Sequence, residues 1–256
     1  MKYYGKTDVG KKRSVNQDTF GVKQLSEDIL VAVVCDGMGG ASGGGIASSI
    51  ASDIYLSELT KNVAKYACGN MSTEASVEMP RLLRRSVTAA NSFLNALSKR
   101  DSSLSGMGTT LVSALFYEGT LYACNIGDSR MYHITANGIE QVTRDHSYVQ
   151  YLVDSGKMTP EDAKKSKNKN IITRAIGIEA RVEADVFRVP VKNKESEYFL
   201  LCTDGLSNLL DDSEILSILQ SKVYMYDELV VKVNMLIEAA NQRGGNDNIT
   251  ALLIRV

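Results

Sequence analysis

The stretch ILVAVVCDGMGG, residues 29–40, is the part of this chain that decides its fold. Its first seven residues are apolar or small, and β-branched side chains dominate among them, which predicts a buried strand rather than a helix. Asp36 ends the run, and burying a carboxylate is costly unless a cation or backbone N–H groups compensate it. The glycines that follow allow a sharp turn and a close approach of a ligand to the backbone. On its own, however, the segment is more typical of an ordinary Asp-Gly turn.

Composition places the chain among soluble globular proteins, with 44% hydrophobic and 23% charged residues. The net charge of −1, from 29 basic and 30 acidic residues, argues against a nucleic-acid or membrane-surface partner. No apolar stretch approaches the roughly 18 residues of a membrane-spanning helix, and the N-terminus lacks an apolar signal core. We therefore expect a cytoplasmic protein that binds neither nucleic acid nor membrane.

The predicted elements follow in the order strands, two helices, strands, a helical insert, strands, helices and a final strand. This grouping predicts an α+β fold with mostly antiparallel sheets flanked by helices, rather than an alternating parallel sheet. The first helix follows the glycines, and the second is expected to start at Pro80 after a loop over residues 67–78. No internal repeat or boundary divides the sequence, so we expect a single domain over residues 1–256.

The helical insert begins near Tyr148, and the sequence TPED at 159–162 marks the start of its second helix. The basic run KKSKNKN, residues 164–170, follows. This run is typical of a solvated loop, and a mobile element beside an acidic site is the alternative that remains open.

Five aspartates lie at predicted strand ends: Asp18, Asp36, Asp128, Asp204 and Asp247. Strand ends of packed sheets converge on one rim, where uncompensated carboxylates would repel each other and some of their pKa values would rise. Mg²⁺ or Mn²⁺ removes this conflict, because hard divalent cations take oxygen ligands. Zinc is disfavoured, because the chain has only two histidines and its four cysteines lack C-x-x-C spacing. Each aspartate alone is usually a turn residue, and only their joint occurrence predicts a metal site.

Seven motifs follow one another along nearly the whole chain: RSVNQD (13–18), VCDGMGG (34–40), GMGTT (106–110), NIGDSR (125–130), TRDHS (143–147), CTDGL (202–206) and GGNDNIT (244–250). Any one of them is weak evidence, but the ordered set resembles the signature of bacterial metal-dependent protein phosphatases of the type 2C (PPM) family. The resemblance implies a central antiparallel β-sandwich flanked by helices on both sides, a four-layer αββα arrangement. It also implies that residues 148–183 form a mobile flap beside the active site.

The resemblance gives a role to each residue that matches a family motif. Asp36 matches the aspartate that bridges two Mn²⁺ or Mg²⁺ ions, and Gly37 matches the glycine that coordinates through its carbonyl oxygen. Asp204 and Asp247 match the aspartates that complete this pair of metal sites.

Three further positions match family residues around the ions. Asp18 matches an acid that binds metal-bound water. Asp128, together with Asp204, matches the ligands of a third, weaker ion. Arg13 matches the arginine that holds the substrate phosphate.

These residue types agree with hydrolysis of a phosphoserine or phosphothreonine ester. Water that bridges two cations, held by Asp36, Asp204 and Asp247, becomes hydroxide near neutral pH and attacks phosphorus in line. The ions and Arg13 stabilise the charge on the equatorial oxygens. The chain has neither a G-x-S-x-G elbow nor a cysteine followed by a phosphate-binding arginine loop, either of which would supply a protein nucleophile.

Departures from the family pattern leave the general acid unassigned. Met38 stands where many eukaryotic members carry histidine, and Ala41, Ser42 and Gly45 replace the His and Glu common in bacterial relatives. His146 is available, but we expect a structural role for it. The leaving group would then take its proton from metal-bound water.

The resemblance implies that the partners are phosphorylated proteins modified by a serine/threonine kinase, with the kinase itself as a further candidate, and that the chain acts as a monomer. A catalytically weak phosphatase-fold module for binding or regulation is the alternative, disfavoured because Arg13 and all five aspartates are present. A dehalogenase-type nucleophile at Asp36 would need a second aspartate two residues on, where Met38 stands. A P-loop is excluded, because no G-K-[ST] follows the glycines.

Overall fold

The computed structural model describes residues 1–68, 72–192, 197–223 and 227–256, except for the side chains of 41–42 and 72–76. In this part of the chain, two sheets of antiparallel strands lie face to face. Sheet 1 consists, in spatial order, of β1 (Lys2–Asp8), β11 (Ile249–Arg255), β10 (Tyr198–Cys202), β7 (Arg130–Thr135) and β8 (Gly138–Gln141). Sheet 2 consists of β2 (Asp18–Gln24), β3 (Leu30–Met38), β5 (Leu111–Tyr117), β6 (Thr120–Ile126) and β9 (Asp185–Pro190), with β4 (Gly108–Thr109) paired to the end of β3.

Helices join the strands in three groups. Two long helices lie between β3 and β4, namely α1 (Gly40–Ala67) and α2 (Ser72–Arg100). The insert between β8 and β9 contains α3 (Tyr148–Asp154) and α4 (Pro160–Lys165). Between β10 and β11 lie α5 (Asp204–Ser207), α6 (Asp212–Gln220) and α7 (Glu228–Gln242).

Strand β3 is apolar without alternation because both of its faces are buried. Leu30 and Val34 belong to the core between the two sheets. Val31 and Val33 point the other way, into the core between sheet 2 and helices α1 and α2. Successive side chains of a strand point to opposite faces, so a strand in the middle of a layered structure needs apolar residues at every position.

Helices cover the outer faces of both sheets. Helices α1 and α2 pack on sheet 2, while Val233 and Leu236 of α7 pack with Leu200 and Leu253 of sheet 1. The order of layers is therefore helix, sheet, sheet, helix. This confirms the predicted α+β fold with a central antiparallel sandwich in a four-layer αββα arrangement.

Several predicted boundaries differ from the structure. Strand β3 continues through Asp36 to Met38, because its end pairs with β4. The prediction that a helix starts at Pro80 is wrong, because α2 begins at Ser72 and Pro80 lies inside it. Of the loop predicted over 67–78, residues 69–71 lie outside the described residues, and the part from Ser72 onward is helical.

Helix starts that carry capping signals are placed as predicted. The Thr159 side chain accepts a hydrogen bond from the Asp162 N–H and caps α4. None of the helices in the described part of the chain is long and apolar enough to cross a membrane.

Candidate metal centre

The predicted acids converge at one end of the sandwich. A cavity of about 460 Å³ opens there between the two sheets and the insert. Its lining includes six of the residues predicted from the sequence: Arg13, Asp36, Gly37, Asp128, Asp204 and Asp247. Asp18 lies beside them, because it pairs directly with Asp36 in the register of β2 and β3.

The backbone at Asp36 is held by the threonine pair of the GMGTT motif. The Asp36 N–H donates to Thr110 Oγ1 (3.0 Å), and the Asp36 carbonyl accepts from the Thr110 N–H (2.9 Å) and from Thr109 Oγ1 (2.8 Å). Thr110 Oγ1 also contacts Ser129 Oγ at 2.7 Å. This hydroxyl pair connects the strand that carries Asp36 to the turn that carries Asp128.

Gly37 is a position that only glycine fits. A Cβ at this residue would lie 2.0 Å from the carbonyl oxygen of Gly44, at the start of α1. Strand β3 and the first turns of α1 therefore meet backbone to backbone, and the Gly37 N–H donates to the Gln17 carbonyl at 3.1 Å. The glycine-rich sequence after Asp36 thus serves close helix–strand packing beside the cavity.

Asp18 joins the two sheets and keeps one oxygen free. Its Oδ2 accepts hydrogen bonds from Thr203 Oγ1 (2.9 Å), directly after β10, and from Thr250 Oγ1 (2.7 Å) in β11. Its Oδ1 is buried and has no partner among the described residues. Burial raises the pKa of Asp18 to about 7, although the two threonine hydroxyls act in the opposite direction.

Asp36 and Asp204 both line the cavity, close enough for their negative charges to repel each other. Burial raises the pKa of Asp36 well above its usual range, and repulsion from Asp18 and Asp204 adds to this effect. Burial also raises the pKa of Asp204, followed by repulsion from Asp247. Asp36 lies near the end of β3 in sheet 2, and Asp204 starts α5 shortly after β10 of sheet 1. The two sheets thus bring these carboxyl groups together.

Asp247 has a different environment, because a positively charged side chain pairs with it. The Arg13 guanidinium binds it with two contacts, Nε to Oδ1 at 2.8 Å and Nη2 to Oδ2 at 2.9 Å. The Arg13 side chain remains 55% exposed at the cavity mouth. It is therefore held at the site and is still accessible to a ligand.

Asn248 fixes the loop that carries Arg13, and the sequence interpretation did not identify it. Its Nδ2 donates to the carbonyls of Val9 and Val15 (both 3.0 Å), and its Oδ1 accepts from the Gln17 N–H (2.8 Å). One buried amide thus holds both ends of the loop. The only signal in the sequence was that Asn248 directly follows Asp247, within the motif GGNDNIT.

His146 lies behind the turn that carries Asp128. The Gly127 N–H donates to Nδ1 at 3.2 Å, so Nε2 carries the proton and donates to Asp185 Oδ2 at 3.1 Å. Arg174 also binds Asp185, at 2.9 Å. Burial lowers the pKa of His146, and the ring does not line the cavity. These contacts support the structural role predicted for it.

The basic run at 164–170 is only partly a loop. Lys164 and Lys165 form the last turn of α4, which differs from the prediction. Lys164 and Lys169 line a second cavity of about 470 Å³, which shares Asp128 and Asp204 with the first. Part of the run therefore lies beside the acidic site, as the alternative interpretation expected.

The donor set fits hard divalent cations. Aspartate carboxylates and backbone carbonyls surround the cavity, and such oxygen ligands suit Mg²⁺ or Mn²⁺. Mutual repulsion and the unpartnered Oδ1 of Asp18 both call for positive charge or a proton donor. Within the described ranges, no three His, Cys, Asp or Glu side chains are arranged around a common point that could hold an ion, and Asp247 is paired with Arg13.

Comparison with known proteins gives one consistent result. The protein phosphatase 2C family model matches residues 8–252. The serine/threonine phosphatase stp of Listeria welshimeri is 36% identical over 249 residues, which cover 97% of this chain and 93% of that protein.

Solved structures agree with this match. The serine/threonine phosphatase Stp1 from Staphylococcus aureus is similar with a TM-score of 0.85 and 32% identity, covering 99% of this chain and 94% of that one. The catalytic domain of the serine/threonine protein phosphatase PstP, in complex with two manganese ions, has a TM-score of 0.80 and 32% identity, covering 98% and 96%. The chain therefore belongs to the protein phosphatase 2C family, and it is an enzyme of the serine/threonine phosphatase class.

Proposed function

We propose that this chain hydrolyses phosphoserine and phosphothreonine in proteins with two bound Mn²⁺ or Mg²⁺ ions, and that a third ion binds beside them. The convergence of five aspartates and one arginine at a single cavity carries this proposal. The two manganese ions of PstP, a relative of the same fold, support it. When bound, the ions would lower the pKa of a water molecule and so supply the nucleophile for in-line attack on phosphorus.

The ligand roles proposed for the chain follow the geometry of the cavity. Asp36, Asp204 and Asp247 would hold the ions and the attacking water, with the Gly37 carbonyl as a backbone ligand. Asp128, which lies in the same lining as Asp204, would complete a third, weaker site.

The remaining polar groups act on water and substrate. Asp18 Oδ1 is a buried acceptor without a partner among the described residues, and it would orient a water molecule bound at the ions. Arg13 would hold the substrate phosphate in a bidentate contact, because its guanidinium is exposed at the cavity mouth. Met38 cannot donate a proton and His146 lies outside the cavity lining, so we assign no side chain as general acid.

We further propose the setting in which this activity occurs. The chain would act as a cytoplasmic monomer whose substrates are proteins phosphorylated by a serine/threonine kinase, including the kinase itself. Residues 1–256 would form one catalytic domain, consistent with a family match over 8–252, and residues 148–183 would be its flap. A non-catalytic binding module is the weaker alternative, because every predicted polar site residue is present at the cavity or beside it.

The test compares a phosphothreonine peptide with a phosphotyrosine peptide of the same sequence, each with Mn²⁺, with Mg²⁺ and with chelator. We expect metal-dependent phosphate release from the phosphothreonine peptide and much slower release from the phosphotyrosine peptide. No release from either peptide, together with no Mn²⁺ binding in titration calorimetry, would overturn the proposed function and favour the binding-module alternative.

A further inference from the structure

A groove, separate from the two cavities described above, opens beside the proposed catalytic cavity. Its volume is about 380 Å³, and its apolar lining residues are Met38, Ile172, Ala175, Ile178 and Val182. Met38 and Ile172 also line the catalytic cavity. The two spaces are therefore adjacent, and a peptide whose phosphorylated residue enters one would place its neighbouring residues near the other.

Apolar and polar residues line this groove in equal numbers, and Met38 and Ile178 belong to the apolar half. A Cβ placed on Gly108 would lie 2.9 Å from Met38 Cε and 3.0 Å from Ile178 Cδ1, so these two side chains meet over the glycine. Ile178 nevertheless remains 44% exposed. A large aliphatic side chain is thus kept in contact with solvent at the edge of a concave surface, as is typical of a ligand pocket.

Two buried asparagines of α2 hold the groove wall in place. Asn91 donates to the carbonyls of Glu179 (3.0 Å) and Ala180 (3.3 Å) and accepts from the Gly177 N–H (2.8 Å). Asn95, one turn later, donates to the carbonyls of Gly177 (3.2 Å) and Ile178 (3.1 Å). The backbone on both sides of Ile178 is therefore fixed by hydrogen bonds before any ligand arrives, which lowers the entropy cost of binding.

The charged residues at the rim of the groove balance each other. Arg174 and Arg181 stand against Glu179 and Glu183, and Arg174 is in addition bound to Asp185. A charged ligand group would therefore gain little from this rim. The apolar half of the lining, around Met38 and Ile178, is then the main source of binding free energy.

We propose that this groove is a substrate subsite that takes an apolar side chain, of the leucine class, from a residue close to the phosphoserine or phosphothreonine. The proposal rests on the proposed phosphatase function, because the groove lies beside the catalytic cavity and shares Met38 and Ile172 with it. Met38 thereby acquires a role at the junction of the two spaces, where it contacts substrate and not the leaving-group proton.

The test uses phosphothreonine peptides whose neighbouring residues are all serine, and replaces them with leucine one at a time at three positions on each side. For the unmodified chain, we expect one leucine position to raise kcat/KM about tenfold, as partial burial of an aliphatic side chain predicts. Ile178→Ser should bring this leucine-to-serine ratio close to one, and Ile178→Leu should restore it. Ile171→Ser is the matched control, because Ile171 is equally exposed but does not line the groove.

Equal rates for leucine and serine peptides at every position would overturn the proposal, and so would a leucine preference that survives in Ile178→Ser. An equal loss of preference in Ile171→Ser would also contradict it, since that side chain lies elsewhere. Mn²⁺-dependent hydrolysis of p-nitrophenyl phosphate reports on the metal centre separately, because this substrate has no neighbouring residues. Failure of that reaction would overturn the phosphatase function itself and can thus be distinguished from failure of the subsite.

Discussion

Two groups of buried polar side chains in this protein have opposite surroundings. Asn91, on α2, is 2% exposed, and both of its amide atoms bind backbone groups of the groove wall. Asp18, on β2, is also buried, but one of its oxygens has no partner among the described residues, and it faces Asp36 across the strands. The first group, which we call complete, finds its hydrogen-bond partners within the protein. The second, which we call incomplete, keeps an oxygen without a partner among the described residues.

The difference separates structural polar residues from ligand-binding ones. A buried group with all its hydrogen bonds costs little, whereas an unpaired donor, acceptor or charge costs far more. At Asp18 and Asp36 this cost is expressed as raised pKa values. Bound cations would compensate the charge of these carboxylates. The asparagines need no ligand, because their hydrogen bonds are made within the protein.

The largest effect is expected when a carboxylate of the incomplete group is neutralised. Asp36→Asn should lower Mn²⁺-dependent hydrolysis of p-nitrophenyl phosphate on the order of 1,000-fold, because an amide cannot replace the carboxylate that we propose bridges the two ions. Asp53→Asn on the exposed face of α1 is the matched control and should keep its rate. An Asp36→Asn variant that binds Mn²⁺ and retains full activity would refute the metal assignment.

The complete group should respond in stability. Asn91→Ala leaves the Gly177 N–H and two carbonyls without their partner, and we expect a loss of about 2–3 kcal/mol in the free energy of unfolding. Urea denaturation measures this loss. Thr88→Ala on the exposed side of α2 is the control, since its hydroxyl binds only the Arg84 carbonyl of its own helix. A loss below about 0.5 kcal/mol for Asn91→Ala would show that the hydrogen bonds of Asn91 to the groove wall contribute little to stability.

Arg13 is intermediate between the two groups, because its guanidinium already compensates the charge of Asp247. Arg13→Lys should raise KM for a phosphothreonine peptide about tenfold, since lysine cannot reproduce the bidentate contact. Mn²⁺ should bind at least as tightly in titration calorimetry, because a competing cation at Asp247 is weakened. Lys12→Ala, next to it on the same loop, serves as the control. Weaker metal binding with unchanged KM would reverse these roles.

The smallest effect concerns the melting temperature of the metal-free protein. A carboxyl group whose pKa is raised on folding, such as Asp18 at about 7, keeps a proton that the unfolded chain has already lost. Stability therefore falls as the pH rises from the unfolded pKa of about 4 through the folded value. We expect the melting temperature in chelator to fall between about pH 5 and pH 7.5. With saturating Mn²⁺ the trend should flatten or reverse, because the metal binds deprotonated ligands.

Asp18→Asn provides the control for this pH series. The substitution removes the titrating group, so the fall in melting temperature with pH should be smaller than in the unmodified chain. If the slopes with chelator and with Mn²⁺ were identical, the carboxylates would not be the source of the pH dependence.

The fold and the acids of the site could be predicted because their signals are local. An apolar run followed by an aspartate and glycines predicts a central strand and its exit, and Asp36 lies there. The ordered motifs then predicted the family, which the comparison confirms.

Other features depend on distant contacts and left no local signal. Helix α2 continues N-terminally of Pro80 because Met79, Leu83 and Val87 form one buried stripe, and this packing overrides the usual preference of proline for a first turn. Asn91 and Asn248 look like ordinary polar residues in the sequence. Their partners lie 86 and 239 residues away for the bonds to Gly177 and Val9, so only the folded structure reveals their roles.

The position of β11 has a consequence for the time at which the protein becomes active. This last strand lies inside sheet 1, between β1 and β10, and pairs Arg255 with Lys2. Ribosomes add about 5–20 residues per second, so β1 gains this neighbour only after all of the intervening chain has been made. Asp247 and Thr250 arrive at the same late moment, and Asp18 gains its second hydroxyl partner only then. A nascent chain that ends before β11 therefore lacks part of the acidic cavity, and we expect no phosphatase activity from it.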